Sequence, residues 1–318
     1  MAPVGQKIEI GAPKPSWLKT KATFAPSYVR VKNALRSNRL HSVCEEANCP
    51  NIRECFSHGT ATFMILGNIC TRGCRFCDVI KGRPLGYDLD EPRRMAEGVA
   101  ALGLQQVVIT SVNRDDLPDG GSWVFAETIR QLRARDSRVR IEVLIPDFDG
   151  NFDALEAVLE ARPDVLNHNV ETVPRLYPSV RPRAKLDRSL EILRRSAARS
   201  DPPIVKSGIM AGVGETWDEL LDCMRQIVRT GCQILTIGQY LAPSATHLPV
   251  DRYYPPAEFE RLARAGEAMG FAHVESGPLV RSSYHAFDQV SKMQEKSLRD
   301  AEHHSDQQSP VLQWPAST

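Results

Sequence analysis

The sequence predicts an α/β fold in which six strand–helix units form a parallel sheet that curls into an incomplete barrel. From about residue 60, short apolar and β-branched runs alternate with charged segments of helical period. A strand followed by a helix, repeated six times, implies parallel strands joined by right-handed crossovers. The 318 residues suffice for one large α/β domain or two ordinary ones. An open doubly wound sheet is the competing layout.

The elements follow in chain order. A basic stretch, residues 1–40, predicts an extended arm and then a short helix at about Tyr28–Arg36, and residues 41–59 are predicted to be irregular. The predicted strands are Thr60–Leu66, Gln106–Thr110, Arg140–Ile145, Val165–Asn169, Ile204–Ile209 and Ile234–Gln239. The predicted helices are Pro92–Leu102, Trp123–Arg135, Phe152–Ala161, Arg188–Ala198, Thr216–Thr230 and Pro256–Met269. A last strand-like run, about Ala272–Val280, precedes a polar tail that is expected to be disordered.

Composition excludes several classes of function. A net charge of +1 gives no global field that would indicate nucleic acid or a membrane surface as partner. No apolar run approaches the ~18–20 residues of a spanning helix, and the N-terminus lacks the core of a signal peptide. We therefore expect a cytoplasmic protein. Thiols stay reduced in that compartment, so clustered cysteines indicate metal binding or catalysis rather than disulfides.

Six of the eight cysteines fall into two close triplets, with spacings C-x4-C-x5-C and C-x3-C-x2-C. The first triplet is Cys44, Cys49 and Cys55, and the second is Cys70, Cys74 and Cys77. Iron–sulfur clusters are held by cysteine thiolates, usually four. Each triplet is one ligand short, which leaves an iron open to a small molecule or requires a distant fourth ligand.

Structural zinc is the alternative interpretation of the cysteines. Zinc takes four tetrahedral ligands, typically as two C-x2-C pairs, and the sequence contains no second pair. The remaining two, Cys223 and Cys232, lie in or near an apolar helix and are expected to be small buried hydrophobes.

Polar or glycine-rich loops follow four of the predicted strands. Function in parallel α/β folds gathers at the C-terminal ends of the strands, so we expect these loops to share one rim. They hold the second triplet, residues 110–116, residues 169–172 and residues 210–215.

The second triplet, in a loop after the first strand of a (β/α) repeat, resembles the radical S-adenosylmethionine superfamily. With the first triplet ending 15 residues before it and Arg-Ser-Ser-Tyr at 281–284, the chain resembles the lipoyl synthase family. Further matching motifs are KPSWL at 14–18, EEANCPN at 45–51, TSVNRDDL at 110–117 and NHNVET at 167–172. The matches span about residues 14–285, with no departure at a ligand position.

This resemblance implies a partial (β/α)6 TIM-like barrel with N-terminal and C-terminal extensions covering its open side. The expected divisions are an N-terminal arm and auxiliary-cluster loop (1–59), the barrel (60–270), a C-terminal segment with the RSSY motif (271–294) and a disordered tail (295–318).

It also implies two [4Fe–4S] clusters and S-adenosylmethionine. The second triplet would hold the cluster that cleaves this cofactor, and the first triplet an auxiliary cluster with a serine as fourth ligand. Ser283 is the expected ligand and Ser282 the second choice. Successive strand residues point to opposite faces, so only one of the two should reach the cluster, and the sequence does not determine which. Arg281 is expected to secure the terminal segment over the auxiliary cluster.

Contacts to S-adenosylmethionine are expected from the rim loops. Phe76 would pack beside the cluster or the adenine. The other expected contacts are Asn113, Asp115 and Asp116 at the ammonium, Asn169 and Glu171 at the ribose hydroxyls, and the backbone at Gly208, Gly212 and Gly214. His168 and His285 are expected to be hydrogen-bonding framework residues.

The implied reaction is the insertion of two sulfur atoms, at C6 and C8 of a protein-bound octanoyl-lysine chain, with sulfur from the auxiliary cluster. The implied partners are an octanoylated lipoyl carrier domain (a 2-oxoacid dehydrogenase E2 subunit or the glycine cleavage H protein), an electron donor such as ferredoxin or flavodoxin, and an iron–sulfur carrier that rebuilds the cluster. No nucleic acid and no membrane is expected. The basic stretch 1–40 either meets an acidic carrier domain or is a solvated arm that wraps the core.

Two other functions fit the cysteines. One is a different radical S-adenosylmethionine enzyme with an auxiliary cluster, similar to the methylthiotransferases, for which an appended RNA-binding module would be expected. The other is an electron carrier or cluster scaffold without enzymatic activity, which would need neither six strand–helix units nor an open iron.

Overall fold

The computed structural model describes residues 14–19, 25–58 and 61–295, which form a sheet flanked by helices. The strands are β1 (His41–Ser42), β2 (Thr62–Ile65), β3 (Ile69–Cys70), β4 (Ile80–Lys81), β5 (Gln106–Ser111), β6 (Arg140–Leu144), β7 (Val165–Asn167), β8 (Ile204–Ala211), β9 (Ile234–Gln239) and β10 (His273–Gly277). The helices are α1 (Pro26–Ser37), α2 (Val43–Glu46), α3 (Ile52–Ser57), α4 (Glu91–Leu102), α5 (Ser122–Arg135), α6 (Phe152–Glu160), α7 (Tyr177–Val180), α8 (Leu186–Ala197), α9 (Trp217–Val228) and α10 (Pro256–Met269). Residues 286–295 are also helical, and the predicted tail beyond them lies outside the described residues.

Eight strands form the main sheet, in the order β1-β2-β5-β6-β7-β8-β9-β10. Each neighbouring pair is parallel except β1 with β2, which is antiparallel. The spatial order follows the chain order, so each crossover moves the chain by one strand, as in a barrel wall. The predicted partial barrel is confirmed. β10 corresponds to the predicted last strand-like run at about Ala272–Val280, whereas β1 is an antiparallel edge strand that was not predicted.

The prediction that residues 41–59 are irregular was wrong. This region forms β1, α2 and α3, which are too short to show a helical period in the sequence. The Ser42 hydroxyl caps α2 by accepting a hydrogen bond from the Glu45 amide, at 3.3 Å. Phe56 in α3 is fully buried and packs against Tyr28 of α1, with ring centroids 5.5 Å apart. The first cysteine triplet therefore lies on a packed scaffold.

The barrel interior contains a buried ion pair as well as apolar side chains. Lys206 on β8 lies 2.8 Å from Glu142 on β6, and both side chains are buried. Asn167 on β7, between these strands, donates to the same carboxylate at 3.4 Å. Cys223 in α9 and Cys232 before β9 are buried, as predicted. Within the described ranges, no helix has the length and apolar character needed to cross a membrane.

The segment after β10 returns to the opposite edge of the sheet. The Leu279 carbonyl accepts a hydrogen bond from the Asn51 side chain at 2.7 Å, and the Tyr284 hydroxyl donates to Glu54 at 3.0 Å. Near β9, a β-carbon at Gly238 would lie 2.1 Å from the Val280 carbonyl oxygen, so only glycine lets the segment pass. Residues 279–284, called here the C-terminal strap, therefore contact both edges of the sheet.

Candidate functional site

The second cysteine triplet lies in a loop that three other parts of the rim hold in place. The Cys70 sulfur accepts hydrogen bonds from the backbone amides of Arg72 and Asn113, each at 3.4 Å. Thr71 bonds the Asn113 carbonyl through its amide and its hydroxyl, both at 3.0 Å. Farther along, the Arg75 amide donates to the Val180 carbonyl at 2.9 Å. The His247 ring lies 3.1 Å from the Cys77 carbonyl oxygen. These bonds predefine the shape of the loop.

A buried arginine within the loop strengthens this anchoring. The Arg72 guanidinium lies 2.8 Å from Asp115 and 2.7 Å from Asp147, and its side chain is only 3% exposed. The predicted role of Asp115 at an ammonium group must therefore compete with this ion pair. Buried charges need partners, and Asp115 and Asp147 share that role for Arg72.

The thiols of the second triplet are partly buried and lie within electrostatic reach of each other. Burial raises the pKa of Cys77 to about 12 and also raises the pKa of Cys74. Iron binding must therefore displace protons from these thiols. Within the described residues, no three His, Cys, Asp or Glu side chains converge on a single metal ion. A four-iron cluster is wider than one ion and takes soft thiolates, so the donor set suits iron–sulfur better than zinc.

The first triplet faces the C-terminal strap. Cys44 lies beside Thr62 of β2, and burial raises the pKa of the Cys44 thiol to about 12. Cys49 lies within electrostatic reach of the partly buried Arg281 side chain, and Cys55 within reach of Tyr284. Each thiol of the first triplet thus has a neighbour in the strap or bonded to it.

The two consecutive serines of the strap point in opposite directions. The Ser283 hydroxyl accepts a hydrogen bond from the Thr62 hydroxyl at 2.6 Å, next to Cys44. The Ser282 hydroxyl accepts one from the Asn169 side chain, also at 2.6 Å, on the barrel rim. The backbone at residues 282–285 is a turn and not a strand, so the alternation used in the prediction is not the cause. The strap joins the two sides of the site.

Three of the predicted cofactor contacts lie together on the rim. Asn169 donates to Glu171 at 3.1 Å as well as to Ser282. A β-carbon at Gly208 would lie 2.7 Å from the Asn169 side-chain oxygen, so glycine makes room for the amide. Glu171 adopts a left-handed backbone (φ 72°), and burial raises its pKa. Strain at a non-glycine residue is common where a binding site fixes the backbone.

The other predicted contacts have structural partners of their own. The Asp116 carboxylate pairs with the buried Arg114 at 2.9 Å, and this hydrogen bond lowers the pKa of Asp116. Gly212 has φ 96°, and a β-carbon there would lie 2.2 Å from the Gln239 side chain, so the fold itself requires glycine. Phe76 is partly buried against the core beside β8 and β9. Their roles toward a cofactor stay predictions.

Several buried polar groups at the site are unsatisfied, and of the residues that carry them only Asn169 was predicted as a cofactor contact. Among the described residues, Ser111 Oγ, Asn169 Oδ1 and Arg181 Nε are buried without a hydrogen-bond partner. Ser111 ends β5, and Arg181 donates to the Asn169 carbonyl at 2.8 Å. Buried polar atoms are seldom left unpaired, so these atoms fit a polar ligand such as a nucleoside. Ser111 was in a recognised motif, whereas Arg181 and Thr62 carried no sequence signal.

Known proteins were compared with this chain. Residues 64–227 match the family model of the radical SAM superfamily, and residues 6–49 match that of the N-terminal domain of lipoyl synthase of the radical SAM family. Lipoyl synthase from Rubrobacter xylanophilus is 54% identical over 285 residues, which cover 90% of this chain and 89% of the relative. Lipoyl synthase from Symbiobacterium thermophilum is 56% identical over 279 residues, covering 88% and 87%. The chain belongs to the lipoyl synthase family. The predicted enzyme class, a radical S-adenosylmethionine sulfurtransferase, is confirmed, as are the [4Fe–4S] and S-adenosylmethionine cofactors.

Solved structures with low sequence identity to this lipoyl synthase family member bear only on its fold and not on its function. The structure of HydG, a maturase of the [FeFe]-hydrogenase, has a TM-score of 0.50 at 14% identity and covers 81% of this chain and 57% of that one. Streptococcus suis SuiB bound to S-adenosylmethionine has a TM-score of 0.49 at 11% identity and covers 67% and 50%. The chain thus spans about half the length of these two structures.

Proposed function

We propose that the protein inserts two sulfur atoms into the octanoyl chain of a carrier-protein lysine, at C6 and C8. The observation that carries this proposal is the C-terminal strap, in which Ser283 bonds Thr62 next to the first triplet and Ser282 bonds Asn169 on the barrel rim. Carbons C6 and C8 bear unactivated hydrogens that no side chain of ordinary pKa could remove as protons. The bound cofactors supply hydrogen-atom abstraction at the second triplet and sulfur at the first.

The residues of this chain hold and orient those groups. Cys70, Cys74 and Cys77 would ligate one cluster, and Cys44, Cys49 and Cys55 the auxiliary one. Ser283 is proposed as the fourth ligand of the auxiliary cluster, because its hydroxyl accepts a hydrogen bond from Thr62, which lies beside Cys44. Iron in such clusters favours soft thiolates, so an oxygen ligand is the easiest to release. Release at this position would open the cluster where sulfur must leave.

The cofactor contacts are proposed on the same basis. Asn169 has a free side-chain oxygen that can accept from a ribose hydroxyl, and Glu171 and Gly208 are its direct neighbours. Phe76, Asn113, Asp116 and Gly212 remain further candidates, although Asp116 would have to share its carboxylate with Arg114.

A lipoyl-carrier protein substrate follows from the family. Its finer identity is proposed to be an octanoylated E2 domain or the glycine cleavage H protein. A ferredoxin or flavodoxin would supply electrons, and an iron–sulfur carrier would rebuild the auxiliary cluster. The cytoplasm is the proposed compartment, because thiols such as the six clustered cysteines stay reduced there.

Anaerobic reconstitution tests the function directly. We expect about eight irons per chain, as two four-iron clusters require. Incubation with S-adenosylmethionine, dithionite and an octanoylated peptide should give 5′-deoxyadenosine and a product that has lost two hydrogens and gained two sulfurs. About four irons, or a product without both sulfurs, would contradict the proposal.

A cysteine exchange tests the proposed serine ligand. Ser283→Cys should retain the auxiliary cluster but slow sulfur insertion, because a thiolate leaves iron less readily than a hydroxyl does. Ser282→Cys is the matched control, one residue away on the rim side, and it should not alter the spectroscopic signature of the cluster. Equal turnover of Ser283→Cys and the unmodified protein would argue against Ser283 as ligand.

A further inference from the structure

Residues 80–89, called here the apolar loop, expose four large hydrophobic side chains within ten residues. Ile80 is 55% exposed, Leu85 fully exposed, Tyr87 43% and Leu89 66%. These are half of the large hydrophobic residues exposed in the described part of the chain. Single exposed hydrophobic residues are common, but a contiguous group indicates an interaction surface.

The apolar loop is fixed to the radical site at its beginning. Lys81 on β4 is the register partner of Cys70 on β3, and the Gly82 amide donates to the Cys70 carbonyl at 3.0 Å. A molecule bound to this loop would therefore lie directly beside the second cysteine triplet.

The loop is also held at its middle. The Gly86 carbonyl accepts a hydrogen bond from the buried Arg114 at 2.9 Å, and the Arg114 guanidinium lies 5.9 Å from the centre of the Tyr87 ring. A groove of about 430 Å³ runs between the loop and residues 114–117, with Leu85 and Leu89 on its wall. These anchors present the apolar side chains in a preformed arrangement, which lowers the entropic cost of binding.

The charges around the loop favour an acidic partner. Three nearby acids are each neutralised by an arginine: Asp88 by Arg94 at 2.8 Å, Asp90 by Arg93 at 2.6 Å and Asp116 by Arg114 at 2.9 Å. Lys81 and Arg83 are both exposed, and Arg83 lies within electrostatic reach of Asp116, which already pairs with Arg114. The loop therefore combines apolar side chains with two exposed basic side chains, Lys81 and Arg83.

We propose that the apolar loop is the docking surface for the octanoylated carrier domain. Leu85 and Leu89 contact an apolar patch of that domain, and Lys81 and Arg83 face its acidic residues. The acyl-lysine arm then enters beside Cys70. This inference rests on the proposed function and adds to it the surface that recognises the protein part of the substrate.

The test compares two substrates that share the acyl-lysine but differ in the protein around it. One is an octanoylated carrier domain and the other a short octanoyl-lysine peptide. For the Leu85→Ser/Leu89→Ser double variant we expect Kd for the carrier domain to rise about tenfold or more, which corresponds to about 1.4 kcal/mol. Single-turnover sulfur insertion into the peptide should be unchanged. Val29→Ser is the matched control, because Val29 is 58% exposed on α1, and it should change neither value.

Charge reversal gives an independent measurement. Lys81→Glu/Arg83→Glu should weaken carrier binding and reduce its dependence on salt.

The proposal would be overturned if the Leu85→Ser/Leu89→Ser variant bound the carrier domain with a Kd within twofold of that of the unmodified protein. Equal losses of activity with the carrier domain and with the peptide would also overturn it, because the loop would then act in the reaction itself and not in docking. If only the Lys14→Glu/Lys19→Glu variant binds the carrier domain more weakly, the docking surface would be the N-terminal stretch and not the apolar loop. No sulfur insertion into the peptide by the unmodified protein would instead refute the proposed function.

Discussion

Thr62→Val is the sharpest test of how the C-terminal strap is attached. The Thr62 hydroxyl is buried, with the residue 4% exposed, and donates to Ser283 at 2.6 Å. The same residue lies beside the Cys44 thiol. Valine keeps the shape of the side chain but removes the hydroxyl, so Ser283 loses its donor while the apolar packing is retained.

The size of the effect follows from this buried hydrogen bond. A net hydrogen bond contributes about 1 kcal/mol, and a buried polar group left unpaired costs about 1–3 kcal/mol. Because Ser283 can recover part of this loss in water when the strap opens, we expect about 1–2 kcal/mol. That corresponds to about a 5–30-fold increase in the opening equilibrium of the strap.

Hydrogen exchange measures this equilibrium without relying on turnover. Amides of residues 280–284 should exchange about 5–30-fold faster in Thr62→Val, and iron should leave the auxiliary cluster faster in the presence of a chelator. Thr62→Ser is the control, since it keeps the hydroxyl and should stay near the unmodified protein. Exchange within twofold of the unmodified protein in Thr62→Val would refute the reasoning.

Three further predictions concern the buried polar groups. Ser282→Ala should speed exchange in the strap by about fivefold, measured in the same way, because the bond from Asn169 contributes about 1 kcal/mol. Lys206→Met should lower the free energy of unfolding by about 3–5 kcal/mol, because Glu142 is left buried without its partner. The double variant Lys206→Met/Glu142→Leu should recover most of this loss in denaturant titrations. Additive losses in the double variant would contradict the prediction. Burial lowers the pKa of His168 to about 4. As pH falls, His168 is therefore protonated at a higher pH in the unfolded chain than in the folded one. Stability should therefore decrease by about 3 kcal/mol from pH 6.5 to pH 4, and His168→Asn should flatten that decrease in the cluster-free chain.

The regular elements could be predicted because each is long enough for its hydrophobic period to be detected. The helix Pro256–Met269 was predicted with its observed bounds, since Pro at its start and Gly270 after its end are strong signals. The helices α2 and α3 were missed because four and six residues do not show a period. A Ser-x-x-Glu cap at Ser42 was present in the sequence and could have indicated α2.

The candidate site could be predicted only in part. Spacing identified the cysteines, and strand order placed Asn169 and Gly208 on one rim. The sequence could not show that Asp116 pairs with Arg114 or that Arg72 is buried between Asp115 and Asp147, because such pairs depend on the packed loops. The opposite directions of Ser282 and Ser283 depend on the turn that contains them, which propensity does not determine.

The manner in which the strap closes the sheet has a consequence for the chemistry. Among the described strands, β10 does not pair with β1 or β2, so the strap spans the two edges through side-chain hydrogen bonds rather than a strand ladder. A few such bonds open at lower cost than a continuous ladder. If sulfur donation dismantles the auxiliary cluster, its replacement requires access to the first triplet. A strap that can open without unfolding the barrel provides that access, whereas a closed eight-stranded barrel would not.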